Sequence, residues 1–157
     1  GNPIPEIGEM SPNEKLALME RLWDSMSDSG ELTEPPPWHF DELSKRENEW
    51  KDRQRCSQDW ETAKDEIRSK LGEDSDTTIA NADLRRGYRF YERQSEGVGD
   101  YFLDSLYSDI DSILLFAGIH PQRGELFRFR SRRFPYWVYY RMDGDTAFVV
   151  AVLDARR

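Results

Sequence analysis

The chain has 157 residues, of which 37 % are hydrophobic and 34 % charged, with a formal net charge of -9. That length holds one ordinary domain or two small ones, and the apolar fraction is low for a single compact core, so an extended portion is expected. The single cysteine, Cys56, excludes an internal disulfide and a multi-cysteine metal site, and no apolar run approaches the ~20 residues of a membrane span.

Residues 1–10 read as an unstructured leader. They carry no basic n-region and no apolar h-region, so they are not a signal peptide, and a cytoplasmic, reducing location is expected. Ser11-Pro12-Asn13-Glu14 opens a helix. Ser11 suits the N-cap, Pro12 the first helical position, and Glu14 completes a capping box. Leu16, Met19, Leu22, Trp23 and Met26 recur at three- and four-residue steps and predict an amphipathic helix ending near Ser27–Gly30. This face is expected either to form a homo-oligomer surface or to pack back on the rest of the chain.

Pro35-Pro36-Pro37 stiffens the chain. A second helix is expected from Trp38 to about Arg55, with Leu43, Arg46, Glu47 and Trp50 on one side and charge elsewhere. Such a stripe is too thin for a core of its own, so the helix must lie on something else. Trp60, Ala63, Ile67 and Leu71 predict a short third helix closed by Gly72. Glu73–Asp76 is a polar join, and Thr77-Thr78-Ile79 a weak strand candidate.

Ala80 to Gln94 is predicted helical, with Leu84, Tyr88 and Tyr91 on one face. Val98, Phe102, Leu106, Ile110, Ile113 and Ala117 mark a longer helix stopped by Gly118, so the two form an antiparallel hairpin. Glu125 to Arg130 alternates as a strand does. Tyr136 to Arg141 and Thr146 to Leu153 form a β-hairpin around Met142-Asp143-Gly144-Asp145, with Asp-Gly read as a type I′ turn. Phe148 to Leu153 is apolar on both faces, as a strand in the middle of a sheet would be. The fold class is α+β: a helical hairpin packed on a small antiparallel sheet, preceded by an extended all-α segment.

Charge divides the chain the same way. Residues 1–74 hold 19 acidic and 10 basic side chains; residues 75–157 hold 12 of each, and all 12 cations there are arginine. An acidic module beside an arginine-only module suggests that one covers the other, since arginine binds carboxylates through a rigid fork. The domain boundary is set at 74/75. Arg128, Arg130 and Arg132 alternate with Phe127, Phe129 and Ser131, so a strand there would project all three from one face. With Arg133 and Arg156 they form the candidate surface for an acidic target, the alternative being a solvated strand face. Trp38, Trp50 and Trp60 lie outside any self-sufficient core. Burying one aromatic is worth roughly 1.5–3 kcal/mol, so these three, with Leu43 and Ile67, are expected to anchor the first half on the second. The alternative is a small separate bundle. His39 and His120 are expected to be surface or capping residues. The acidic half offers no basic recognition helix, so no direct DNA binding is expected from it.

Four pieces of the second half carry a resemblance. They are Ala82-Asp83-Leu84 with Gly87-Tyr88-Arg89-Phe90-Tyr91-Glu92; Gly97-Val98-Gly99-Asp100 with Phe102-Leu103; Arg133-Phe134-Pro135-Tyr136 with Val138-Tyr139-Tyr140-Arg141; and the end at Leu153-Asp154-Ala155-Arg156-Arg157. This half resembles ParE-type toxins of the ParE/RelE superfamily. The first half, through Ser11-Pro12, Leu22-Trp23-Asp24-Ser25-Met26, Pro37-Trp38-His39, Leu43, Arg46 and Asp59-Trp60-Glu61, resembles the addiction-module antitoxins. Two departures are noted: only Thr77-Thr78-Ile79 stands where such toxins open with a solid strand, and the chain stops at Arg157 where they often continue. The resemblance implies a toxin and its antitoxin in one chain, held together by an intramolecular contact, with no cofactor and no metal. For the ParE branch it implies poisoning of DNA gyrase without a nuclease triad. For the RelE branch it implies mRNA cleavage on the ribosome, with Arg128, Arg130, Arg132, Arg141 and Arg156 and either Tyr139 or Tyr140 as the candidates. Enzymatic activity is left open between these branches, and a third reading is an inactive binding module.

Overall fold

The computed structural model describes residues 7–28, 35–48, 60–69, 79–116 and 118–155. Helices α1 (Pro12–Asp28), α2 (Pro37–Lys45), α3 (Trp60–Ser69), α4 (Ile79–Gln94) and α5 (Val98–Leu114) precede strands β1 (Gln122–Arg123), β2 (Leu126–Arg130), β3 (Tyr136–Asp143) and β4 (Thr146–Asp154). The strands form one antiparallel sheet in the order β1-β2-β3-β4. This is the expected α+β arrangement.

Local chemistry sets the helix ends. The capping box at α1 is formed both ways: the Glu14 N–H donates to Ser11 Oγ at 3.2 Å and the Ser11 N–H to Glu14 Oε1 at 3.3 Å. The α4–α5 turn is clamped by Glu92, whose carboxylate accepts the N–H groups of Gly97 and Gly99 at 3.0 and 2.9 Å. Gly97 takes the positive φ, 91°, that the turn requires.

Two apolar layers follow from the two faces of the sheet. On one face, Phe129, Tyr136, Val138, Tyr140, Val149 and Val152 meet Leu84, Tyr91, Phe102, Leu103 and Leu106 of the hairpin, and Trp60, Ala63 and Ile67 of α3 join the same core. Leu16 and Met19 of α1 pack against its margin. On the other face, Leu126, Trp137, Tyr139, Val150, Ala151 and Leu153 meet Leu43, Trp38 and Phe40 of α2. A bulge adjusts the second layer. Tyr139 faces Ala151 and Tyr140 faces Val149, so Val150 is the extra residue and turns to the α2 side beside Ala151.

Several expectations are corrected. Ile79 opens α4 rather than ending a strand, and Thr77 and Thr78 lie outside the described residues. Ile7–Glu9 form a 3-10 turn inside the supposed unstructured leader. Helix α2 stops at Lys45, where the Arg46 N–H closes on the Glu42 carbonyl, so Arg46 is a C-cap; Glu47 and Asn48 are helical again, and residues 49–55 of the expected helix lie outside the described residues. A two-residue strand, β1, lies ahead of the expected ones. In the β3–β4 hairpin Gly144 has φ 62° and no non-glycine residue has positive φ. With Asp143 paired to Thr146, the loop Gly144-Asp145 has the φ pattern of a type II′ turn, not I′. Finally, among the described residues β4 is an edge strand. It reads as a central one because helices cover both its faces.

Candidate functional site at the junction of the two halves

Helix α2 lies on the sheet face that the α4–α5 hairpin does not cover, and three of its side chains fasten it there. Leu43 is buried at the centre of the contact. His39 is fully buried: Nε2 lies 2.7 Å from the Asp154 carbonyl and Nδ1 2.8 Å from the Tyr139 hydroxyl. A carbonyl only accepts, so Nε2 carries the proton of the neutral ring, and the Tyr139 O–H donates to Nδ1. Burial pushes the His39 pKa below the ordinary histidine value, against the opposing pull of Asp154. Arg46 reaches past the edge of the sheet to Asp83 of α4, making a bidentate pair at 2.7 and 2.9 Å, while its Nε donates to Glu42 at 2.9 Å. Burial works against the charge on Arg46, but the two carboxylates outweigh it and raise its pKa. Asp83 also accepts the Val152 N–H at 3.0 Å. The outer edge of β4 is therefore capped by side chains: its Val152 N–H by Asp83 and its Asp154 carbonyl by His39.

Helix α1 makes a second contact, at the β2–β3 turn. The Trp23 indole N–H donates to the Ser131 carbonyl at 2.7 Å, with the Arg130 guanidinium 5.5 Å from the ring centroid. The Tyr101 hydroxyl donates to Glu20 at 2.5 Å, and burial and Glu20 together raise its pKa. The turn itself is held by Asp109, which accepts the Ser131 hydroxyl at 2.6 Å and the Arg132 N–H at 2.9 Å. A third contact comes from α3. The Trp60 N–H donates to Asp111 at 2.7 Å, and its ring stands edge-on to Tyr107.

The residues expected to anchor the first half are placed as follows. Leu43, Trp60 and Ile67 are buried, and Trp38 is half-buried against the α2-side layer. Trp50 lies outside the described residues. His39 and Arg46 were not among the expected anchors, whereas Trp23 belongs to the α1 face for which packing back on the rest of the chain was one of two expectations. His39 is a correction, since a surface or capping residue is expected there and it is fully buried; its place between Trp38 and Phe40, just after three prolines, signals burial but not its partners.

The arginine set is not a single face. Arg128 and Arg130 pair with Tyr139 and Trp137 and so lie on the α2 side. Arg132 and Arg133 fall beyond the end of β2, in the turn beside Tyr101 and Asp109, and Arg156 lies outside the described residues. The candidates for RNA cleavage are divided by the sheet. Arg128, Arg130 and Arg141 are on the α2 side, with Arg141 stacked on Phe148 at 4.6 Å, while Tyr140 is fully buried on the hairpin side. There Tyr140 accepts the Gly118 N–H at 2.9 Å and bonds His120 Nδ1. Burial raises the Tyr140 pKa and lowers that of His120. Tyr139, by contrast, shares the arginine side and is held by His39. Among the described residues no cluster of three or more metal-ligating side chains occurs, and no helix is long and apolar enough to cross a membrane.

Comparison with protein families gives two matches. Residues 77–157 match the family of the ParE toxin of type II toxin-antitoxin system, parDE, and residues 9–63 match the family of an addiction module component. No curated protein and no solved structure matches the chain.

Proposed function

The chain belongs to the ParE toxin family through residues 77–157, and on that premise we propose that it is a type II toxin-antitoxin module in one chain, whose first half neutralises the second by covering it. The observation that carries this reading is the seating of α2 on the sheet face left open by the α4–α5 hairpin. Leu43 supplies the apolar contact, and His39 and Arg46 supply buried polar contacts that bridge the halves. Because the halves share one chain, a moderate interface suffices: tethering gives an effective concentration in the millimolar range. The target stays within the classes the family implies. The sheet divides Arg128, Arg130 and Arg141 from Tyr140 but leaves Tyr139 on their side; the match to the ParE family supports a gyrase poison over a ribonuclease.

Growth of a bacterial culture tests it. Induction of residues 75–157 alone is expected to arrest growth, and induction of the full chain is not. Supercoiling and translation assays on the arrested cells then separate gyrase from the ribosome. Normal growth on a soluble, folded fragment would remove the toxin reading and leave a binding module.

A further inference from the structure

We propose that the cleft between α2 and α4, along the outer edge of β4, is a binding site for a small aromatic amine, whose ligand holds α2 in place by touching both halves. Only the seating of α2 is needed for this, not the toxin reading. Helix α2 lies on one face of the sheet and α4 on the other. Between them the edge of β4 is the floor of a cavity of about 590 Å³, a volume in the range of small-molecule sites, which favour such junctions. Trp38 and Glu42 line it from α2, Arg86 and Phe90 from α4, and Val152 and Asp154 from β4. The bidentate Arg46–Asp83 pair ties its two walls together.

The walls, the floor and the charge each select part of the ligand. Phe90 keeps 42 % of its surface exposed and Trp38 is half-buried, so a flat ring in the cleft covers apolar surface that the fold leaves open. In an antiparallel ladder the N–H and C=O of one residue point to the same side. The Val152 N–H points out of the sheet to Asp83, so the Val152 carbonyl also points outward, on the side of the cavity, and can accept a ring N–H. A partner strand does not fit there, because Asp83 and His39 already hold the Val152 N–H and the Asp154 carbonyl. Three carboxylates, Glu42, Asp83 and Asp154, stand against two guanidiniums, Arg46 and Arg86, which leaves one net negative charge. Arg46 is committed to Asp83 and Glu42. Arg86 lies 3.5 Å from Asp83 with its side chain 72 % exposed. An anion would therefore meet one solvated arginine, whereas an ammonium group meets the excess of carboxylate.

Titration calorimetry on the full chain tests this with three probes that share one ring and differ in charge: tryptamine, indole and indole-3-acetate. Tryptamine is expected to bind best, indole about tenfold more weakly, and indole-3-acetate more weakly again. Phe90→Ala is expected to weaken tryptamine about fivefold; should that variant not fold, Trp38→Ala carries the same test from the opposite wall. Bound tryptamine is expected to slow amide hydrogen exchange from Trp38 to Lys45. No heat with any probe, equal affinity for all three, or tryptamine binding that the wall substitution leaves unchanged overturns the site. Binding without slower exchange overturns the hold on α2. Growth on induction of residues 75–157 tests the toxin reading and is independent of every one of these results.

Discussion

His39 shows how one side chain ties three backbone elements together. Its ring joins α2 to the Tyr139 hydroxyl of β3 and the Asp154 carbonyl of β4, and stands edge-on to Trp38 at 4.3 Å. The geometry uses the neutral ring, with one nitrogen accepting from Tyr139. Protonation converts that acceptor into a donor and places a charge in a buried site. Because the folded pKa is depressed by burial, the stabilisation is complete above the ordinary value near 6.5 and is lost as pH falls through the lowered folded value. The denaturant midpoint is therefore expected to drop between about pH 7.5 and about pH 5, and most of that drop to vanish in His39→Gln. A control with His120→Gln separates the two histidines, since burial lowers the pKa of His120 as well. An equal drop in wild type and His39→Gln would rule His39 out as the source. Arg46 makes a different prediction. With side-chain exposures of 10 % for Arg46 and 1 % for Asp83, removing the guanidinium leaves a buried carboxylate with only the Val152 N–H at 3.0 Å and the exposed Arg86 at 3.5 Å. Arg46→Ala is expected to cost about 3–5 kcal/mol, measured by urea unfolding. Adding Asp83→Asn should recover part of it, because the stranded charge is then gone; a double variant as unstable as the single would refute that account.

At the scale of elements, the helical hairpin depends on close approach. A Cβ on Gly99 would stand 2.7 Å from the Tyr88 ring and 2.8 Å from the Tyr88 carbonyl oxygen, and the carbonyl belongs to helix backbone that cannot turn aside. Gly99→Ala is expected to destabilise by about 1–3 kcal/mol through overpacking, and an unchanged melting temperature would show that the hairpin can open without cost. The same scale shows what the sequence made legible. The hairpin helices and the β3–β4 pair were readable because each carries its own period over many residues, with Gly97 and Gly144 as punctuation, although α5 ends at Leu114 and not at Gly118. The edge position of β4 was not, because burial on both faces looks the same whether a strand or two helix layers flank it. The bulge at Val150 was hidden by the same uniformity: a run of valine and alanine keeps no record of which face each residue serves. In the site, Leu43 and Trp60 were legible as apolar residues with no local core to enter. His39 and Arg46 were not, since nothing near them in sequence says that a carbonyl, a phenol and a carboxylate from the other half will meet them.

At the scale of the molecule, among the described residues the acidic half meets the arginine-only half in three separate places, through α1 at the β2–β3 turn, α2 on the open sheet face and α3 beside α5. These contacts differ in kind. Trp60, Ala63 and Ile67 of α3 belong to the same buried cluster as the hairpin, so α3 is part of the core. Helix α2 instead lies on a distinct layer above a cavity, and α1 packs at a margin. Release of α2 is thus expected to precede release of α3, because two of its three apolar contacts, Trp38 and Phe40, are only partly buried whereas Trp60, Ala63 and Ile67 are all buried. Cutting the chain within residues 70–78 turns this ordering into a measurement. The two pieces, produced together, are expected to associate through α3 and to leave growth normal while the first piece is in excess. Lowering the first piece removes the millimolar advantage of the tether, and arrest should then appear at first-piece levels where the intact chain is harmless. Hydrogen exchange on the intact chain is expected to show amides of Trp38 to Lys45 exchanging faster than those of Trp60 to Ser69. Equal protection of the two helices would mean that the first half leaves as one unit, and that α2 is not a separable cover.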